Sequence, residues 1–252
     1  MKFPHLFEFM DQSWLPESLA ATLREILSCG NARPFRPYYS WVAKEAKRET
    51  LAHGCKTVVE LGAGTAPISR LLAEDPELED VRIVPCDARP DPATFADLAR
   101  RYPGRIAPCF DPVDFSQPQA WQENTLLILS GTIHHLPEPA RQEALRAMTT
   151  EHTRVMIAEP LRRTLPSMGF VLLSIVPALL LPLWYFGRPG NLRRFLWCWL
   201  LPVAGLMFVW DGLASCVRMW TEAEWRSRLA SLLGSQRSVA LRHSLFSQMV
   251  TW

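Results

Sequence analysis

Thr57-Val-Val-Glu-Leu-Gly-Ala-Gly-Thr-Ala-Pro67 decides how this chain reads. An apolar run, Thr57 to Leu61, enters a glycine turn at Gly62 and Gly64, and a helix-compatible segment, Ala66 to Ala73, follows at once. Strand, turn and helix in that order let a backbone approach a nucleotide-like ligand closely, with helix N–H groups facing it. A carboxylate, Glu60, stands two residues before the first glycine. The third glycine of a dinucleotide fingerprint is absent, because Pro67 takes its place. That glycine seats a helix close to the sheet beside a pyrophosphate. The turn therefore suits a ligand without one, which disfavours a NAD or nucleotide-sugar enzyme.

Apolar runs and helical patterns alternate on the C-terminal side of this turn. Val81–Cys86 reads as a second strand ending at Asp87, and Pro92–Tyr102 as a helix with Gly104 beyond its end. Arg105–Phe110 reads as a third strand, followed by Asp111 and Asp114. Thr125–Ser130 is a fourth, continuously apolar as in a strand buried on both faces. Glu138–Thr149 reads as a helix and Thr153–Ala158 as a fifth strand, with Glu159 at its end. Alternation of this kind predicts an α/β fold, a doubly wound and mostly parallel Rossmann-like sheet with right-handed crossovers. Upstream, residues 1–52 read as a helical preface. Pro16–Leu27 is a helix with Gly30 as its stop signal, Asn31–Pro37 a loop, and Tyr38–Glu49 a second helix. Two roles fit the preface: a cover over a cofactor site, or plain packing against the sheet. Downstream, Thr221–Leu233 is an amphipathic helix with Thr221 as N-cap and Glu224 completing a capping box. Ser238–Leu245 and Gln248–Trp252 fit antiparallel edge strands.

The chain has 252 residues, enough for one α/β domain or a domain with an appendage. Its formal charge of +2 gives no electrostatic support to a nucleic-acid partner. Six scattered cysteines form no C-x-x-C pair and no Cys/His spacing suited to zinc, so no metal is expected. They read as reduced, buried thiols of a cytosolic compartment. The segment Met1 to Phe9, with an early acid and a proline, does not read as a secretory signal.

Composition changes sharply after the fifth strand. Thr164–Gly187 and Phe195–Trp210 carry no charge, and seven of the ten tryptophans lie between Trp184 and Trp252. A bilayer span needs about 20 apolar residues, which Thr164–Gly187 supplies although Pro166, Pro177 and Pro182 interrupt it. The segment between the two runs holds Arg188, Arg193 and Arg194, against the positive-inside tendency for a crossing hairpin. Prolines and arginines together favour a hairpin that dips into one leaflet, with tryptophans at headgroup level. A hydrophobic lid or a dimer interface are the other readings. The organisation expected is a helical cap over 1–52, a core over 53–163, an apolar hairpin over 164–210 and a returning segment over 211–252.

In open α/β sheets ligands sit outside the carboxyl ends of the strands. Glu60, Gly62, Gly64, Asp87, Ser130, His134, His135 and Glu159 all fall there. Asp87 ends the second strand, where a carboxylate can accept both hydroxyls of a ribose. The pattern Glu60-Leu-Gly-Ala-Gly-Thr65 resembles motif I of class I S-adenosylmethionine-dependent methyltransferases. The resemblance implies S-adenosylmethionine as cofactor, glycines beneath its methionine moiety, and an acid, Glu60, that orders the turn and helps hold the ligand. It also implies an acid after the third strand near the adenine; Asp114, with Phe115 beside the ring, is preferred to Asp111. Ser130 joins this cofactor set. Methyl transfer needs donor and acceptor in line and no nucleophilic residue. A base is needed for a hydroxyl acceptor, and His134 or His135, with Glu159, supplies candidates. Both histidines also fit the plain start of a helix. From Thr125 to Pro160 the chain further resembles a bacterial methyltransferase-like group. In it a Thr/Ser–x–His–His turn, here Thr132-Ile-His-His135, precedes a strand ending in Glu, then a membrane-like stretch and a Trp-Asp-Gly–x–x–Ser element. That element places Trp210, Asp211, Ser215 and Arg218 as candidate substrate contacts, or as a helix start anchored beneath a membrane surface. The expectation is a methyltransferase on the cytoplasmic face of the cell membrane, with membrane lipids as neighbours and no nucleic-acid partner. Its acceptor would be lipid-like or otherwise apolar, methylated at oxygen; the alternative is a non-catalytic membrane adaptor on the same fold. No oligomeric state is specified.

Overall fold

The computed structural model describes residues 6–32, 36–234 and 238–252. Its helices are α1 (Glu17–Ala32), α2 (Arg36–Ala52), α3 (Pro67–Ala73), α4 (Pro92–Arg101), α5 (Glu138–Met148), α6 (Leu165–Leu173), α7 (Ile175–Trp184), α8 (Asn191–Phe195), α9 (Val203–Arg218) and α10 (Glu222–Leu233). Its strands are β1 (Thr57–Leu61), β2 (Arg82–Cys86), β3 (Thr125–Ser130), β4 (Thr153–Glu159), β5 (Ala240–His243) and β6 (Gln248–Thr251). Two compact units emerge: a helical unit, Met1–Pro37 with Leu161–Trp220, and a sheet unit, Tyr38–Pro160 with Thr221–Trp252.

The sheet unit carries six strands in the order β2-β1-β3-β4-β6-β5. The first four are parallel, and β6 and β5 run antiparallel to close one edge. β1 is buried along its whole length, as a central parallel strand flanked on both faces must be. Val58, Ile83, Leu126, Ile128 and Met156 meet Ile68 and Leu72 of α3, Phe95 and Leu98 of α4, and Val42 and Ala46 of α2 in one core. The capping box at Thr221 and Glu224 is present as read. One expected strand is not. Arg105–Phe110 runs beside β2 but makes a single isolated bridge, Ile83 with Ile106. Ile83 N donates to Arg105 O, Ala107 N to Ile83 O, and Cys109 N to Pro85 O. Pro85 has no N–H to give to Ala107 O, which interrupts the ladder between these bonds.

In the helical unit, Gly30 does not stop α1, which runs to Ala32. The loop expected over Asn31–Pro37 shrinks accordingly, because α2 begins at Arg36 and residues 33–35 lie outside the described residues. Leu19, Leu23 and Ile26 of α1 pack on Ala178 and Leu181 of α7, Cys198 and Ala204. The apolar run is therefore partnered along one side by α1 rather than standing as a bare hairpin. Both arms are interrupted. Ser174 separates α6 from α7, and α8 with the π-helical turn Leu196–Leu200 meets α9 at 74°. By length and composition the Leu165–Trp184 arm could cross a membrane, and only 28% of its most apolar stretch is buried. Gly205 and Gly212 bring α9 close to its neighbours: an added Cβ would lie 2.7 Å from Ile175 Cδ1 and 2.7 Å from Val171 Cγ1, respectively.

Candidate active site

The carboxyl ends of β1 to β4 stand side by side in the sheet unit: Leu61 is level with Cys86 and Leu129, and Ser130 with Ala158. The turn after β1 takes left-handed backbone at Gly62 (φ +62°), Gly64 (φ +53°) and Ala66 (φ +49°). A Cβ on Gly62 would sit 3.0 Å from Thr132 Oγ1, so packing against the turn after β3 demands glycine there. A Cβ on Gly64 would meet nothing within 4 Å, which leaves the outer side of the turn open to a ligand. Ala66 is a position that sequence reading missed; for a residue with a Cβ this conformation costs about 1–2 kcal/mol. The bonds Ala66 N to Ala63 O (2.7 Å) and Arg70 N to Ala66 O (3.1 Å) hold it.

Ala66 is the N-cap of α3 and has no side chain to cap with. Glu60 takes that role from inside the sheet: its carboxylate accepts from Ser69 N at 2.7 Å and Ile68 N at 3.4 Å. Burial pushes its pKa up to about 7. Asp87, at the end of β2, ties down the same turn. Its Oδ2 accepts from Gly64 N and its Oδ1 from Arg89 N, both at 2.8 Å. A carboxylate has about four acceptor sites, so both oxygens keep capacity for outside donors. Val113 N donates to Asp87 O, which sets the Asp111–Phe115 turn against the end of β2. There Phe115 is buried, and exposed Asp114 accepts from Ser116 N and Ser116 Oγ.

At the ends of β3 and β4 the polar groups turn inward. Gly131 (φ +61°) donates from its N–H to Ala158 O and starts a tight helical turn, Ile133–His135. His134 Nδ1 lies 2.8 Å from Glu159 Oε2, and the two residues are 4% and 1% exposed. Arg141 of α5 donates to His134 O and Leu136 O, which holds the turn in register. His135 is exposed, its ring 4.2 Å from that of His134. Glu159 Oε1 is buried with no hydrogen-bond partner among the described residues, a rare condition that marks a place for a donor. Ser130 bonds to Tyr38 of α2, with 2.8 Å between the hydroxyls. Tyr38 was another miss; the available signal was its aromatic cluster with Tyr39 and Trp41 at the start of a helix. Burial drives its phenol pKa well above the ordinary value and that of Tyr39 up to about 12, so both stay neutral.

The Trp-Asp-Gly–x–x–Ser residues sit on α9 in the helical unit, where they grip the segment Leu6–Asp11. Asp211 accepts from Phe9 N (2.6 Å) and Met10 N (3.0 Å), and Trp210 Nε1 donates to Phe7 O. Ser215 Oγ donates to Glu8 Oε1 at 2.8 Å. Arg218 pairs with Glu8 at 2.9 Å and donates to Leu6 O at 2.6 Å.

No protein-family model matches the sequence, and no curated protein matches it. Solved structures do. The plantazolicin methyltransferase BpumL in complex with SAH superposes with a TM-score of 0.58 at 10% identity, covering 93% of each chain. Its complex with a monoazolic desmethylPZN analog and SAH gives 0.57 at 10% identity, over 93% of this chain and 94% of that one. The methyltransferase domain of bacterial CtHen1-CN gives 0.50 at 14% identity, over 83% of this chain and 95% of that one. At such identities the likeness is one of fold: this chain has the fold of class I S-adenosylmethionine-dependent methyltransferases.

Proposed function

We propose that the chain transfers a methyl group from S-adenosylmethionine to an apolar, lipid-like acceptor, at oxygen, on the cytoplasmic face of a membrane. The observation that carries the reading is the pair of arrangements at one sheet edge. On one side stands a left-handed glycine turn, open at Gly64 and pinned by Asp87. On the other stands a buried His134–Glu159 pair with one carboxylate oxygen unspent. Gly62, Gly64, Asp87, Asp114, Phe115 and Ser130 would hold the donor, and Glu60 keeps the turn in shape by capping α3. When bound, the donor supplies an activated methyl group on a sulfonium. The protein's own part is positioning and proton removal. Glu159 accepts from His134 Nδ1–H, which fixes the tautomer and leaves Nε2 with the lone pair that a hydroxyl proton needs. The membrane part is supported by the exposed apolar side chains of α6 to α9. An apolar acceptor is supported by an open apolar depression of about 420 Å³ in the helical unit, lined by Phe7, Phe9, Val203, Leu206, Met207 and Trp210.

Purified protein, labelled donor and a lipid extract test the reading. Labelled product in the lipid phase is expected. His134→Asn should cut turnover by about 10²–10⁴-fold with donor affinity unchanged, and Asp87→Ala should weaken donor binding itself. Full turnover in His134→Asn would remove the histidine from the chemistry. Donor binding without product would favour the adaptor reading.

A further inference from the structure

Residues 185–195, the α7–α8 turn together with α8, carry three arginines. The fold uses two of them internally. Arg194 is buried and donates to both oxygens of Glu25 on α1 at 2.8 Å, with its guanidinium over the Tyr185 ring. Arg193 pairs with the same carboxylate. Arg188 differs. It is exposed, lies 5.4 Å from the Tyr185 ring centroid on the same residue's aromatic face, and has no carboxylate partner among the described residues. Nor can its own segment supply one, since no Asp or Glu occurs from Thr164 to Trp210. Within four residues of Arg188 along the chain lie Trp184, Phe186 and Leu192, 66%, 81% and 82% exposed. Gly187 (φ +74°) and Gly190 (φ +79°) take left-handed backbone on either side of Arg188-Pro189, so the turn is tight and prebuilt.

Large apolar side chains in water beside an unpaired arginine fit one environment well. Aromatic rings favour the headgroup level of a bilayer, and arginine reaches lipid phosphates there. We infer that the α7–α8 turn docks on an anionic phospholipid bilayer, with Trp184, Phe186 and Leu192 in the headgroup–acyl boundary and Arg188 on a lipid phosphate. This rests on the membrane reading above and adds the lipid charge and the residues that meet it. Charge separates a lipid partner from a second copy of the chain. A twofold contact through this turn would bring Arg188 of both copies together with no acid in residues 164–210 to pair them, Glu25 being held by Arg193 and Arg194. Depth is limited as well. The Glu25–Arg193–Arg194 cluster lies directly behind the turn, and carrying it into hydrocarbon is costly. The turn therefore seats at the boundary and does not lead a span.

Flotation of the full chain with vesicles tests this, using neutral phosphatidylcholine and the same lipid mixed with phosphatidylglycerol, at low salt and near 1 M salt. Binding should be tighter to the anionic vesicles, and that excess should vanish near 1 M, where the Debye length falls to about 3 Å. One basic residue near such a surface is worth about fivefold in binding, so Arg188→Glu should lose roughly twentyfold on anionic vesicles and nothing on neutral ones. Arg188→Lys should keep most of the binding. Phe186→Asp with Leu192→Asp should lose both vesicle types, and circular dichroism should show all variants folded because every altered side chain is exposed. Equal binding to both vesicle types, or an unaffected Arg188→Glu, overturns the inference. So does a dimeric wild type that Phe186→Asp converts to monomer without any vesicle binding. Donor binding, measured calorimetrically on the same samples, separates the two claims. If vesicle binding fails with donor binding intact, the docking and the membrane part of the reading fall and methyl transfer stands; if vesicle binding holds without methyl transfer, the methyl-transfer reading falls.

Discussion

In the sheet unit the polar side chains gather at the ends of β1 to β4 and keep atoms in reserve: Glu159 Oε1 is buried without a partner, and Asp87 binds two N–H groups with acceptor sites to spare. On α9 of the helical unit, residues of the same types hold the chain together. Asp211, Ser215, Arg218 and the indole N–H of Trp210 are all engaged with Leu6–Asp11. Polar residues clustered in an apolar stretch therefore carry two meanings, and what distinguishes them is whether their bonds close within the fold.

Removing Arg218 tests the closed half of that contrast most severely. Arg218 and Glu8 are both buried and 2.9 Å apart. Deleting one partner of a buried pair costs about 3–5 kcal/mol, because the other charge stays behind. Arg218→Ala should lose that much in urea unfolding and expose Leu6–Asp11 to proteolysis. Normal stability with altered acceptor preference would instead make Arg218 a substrate contact, and the contrast would break.

Glu60 probes the other half through pH. Its folded pKa is raised by burial to about 7, against an ordinary glutamate near 4.3–4.5. The native state then holds its proton more tightly than the unfolded chain. This contribution is fully present below about pH 4.5 and is lost as pH rises through about 7, by up to roughly 3 kcal/mol. Glu60→Gln stays neutral and removes the slope. Relative to wild type, the variant should gain stability from pH 4.5 to 7.5, after a constant loss of about 1 kcal/mol for one weakened cap bond. Parallel stability–pH curves for the two proteins would show that Glu60 is ionised throughout.

These two tests fall on residues that differ in how readily they read from sequence. β1 was legible to the residue, because a central parallel strand is apolar on both faces and ends at a turn with its own chemistry. Glu60, Asp87, His134 and Glu159 read as a set from sequence because each falls at or just beyond the carboxyl end of an expected strand, and the structure places them there. Arg105–Phe110 was misread because its neighbour β2 contains Pro85, which has no N–H for Ala107 O. Gly30 was misread because a glycine inside a helix costs only about 1 kcal/mol, which the packing of α1 outweighs. The grip of α9 on Leu6–Asp11 joins residues about 200 positions apart, and no periodicity reports a contact of that range. Likewise, Arg188, Arg193 and Arg194 read as one group in the sequence and divide in the structure by a glutamate on α1.

The smallest effect tests how firmly the helical unit is packed. Gly205 and Gly212 both lie on α9, and an added methyl would come within 2.7 Å of a side chain at either position. The obstacles differ. At Gly205 it is Ile175 Cδ1, the far end of a flexible side chain that can rotate away. At Gly212 it is both γ-carbons of Val171, at 2.7 and 3.2 Å, on a β-branched residue stiff at χ1. Alanine gains about 1 kcal/mol of helix propensity at both sites, while overpacking costs about 1–3 kcal/mol where the neighbour cannot yield. Gly205→Ala should thus be neutral or slightly stabilising, and Gly212→Ala destabilising by about 1 kcal/mol, read from urea midpoints at unchanged slope. Pairing Gly212→Ala with Val171→Ala should recover most of that loss if the contact between α6 and α9 is as close as the structure has it. If both glycine variants behave alike, α9 sits loosely on α6, and the helical unit is a more pliable surface than its closed polar network implies.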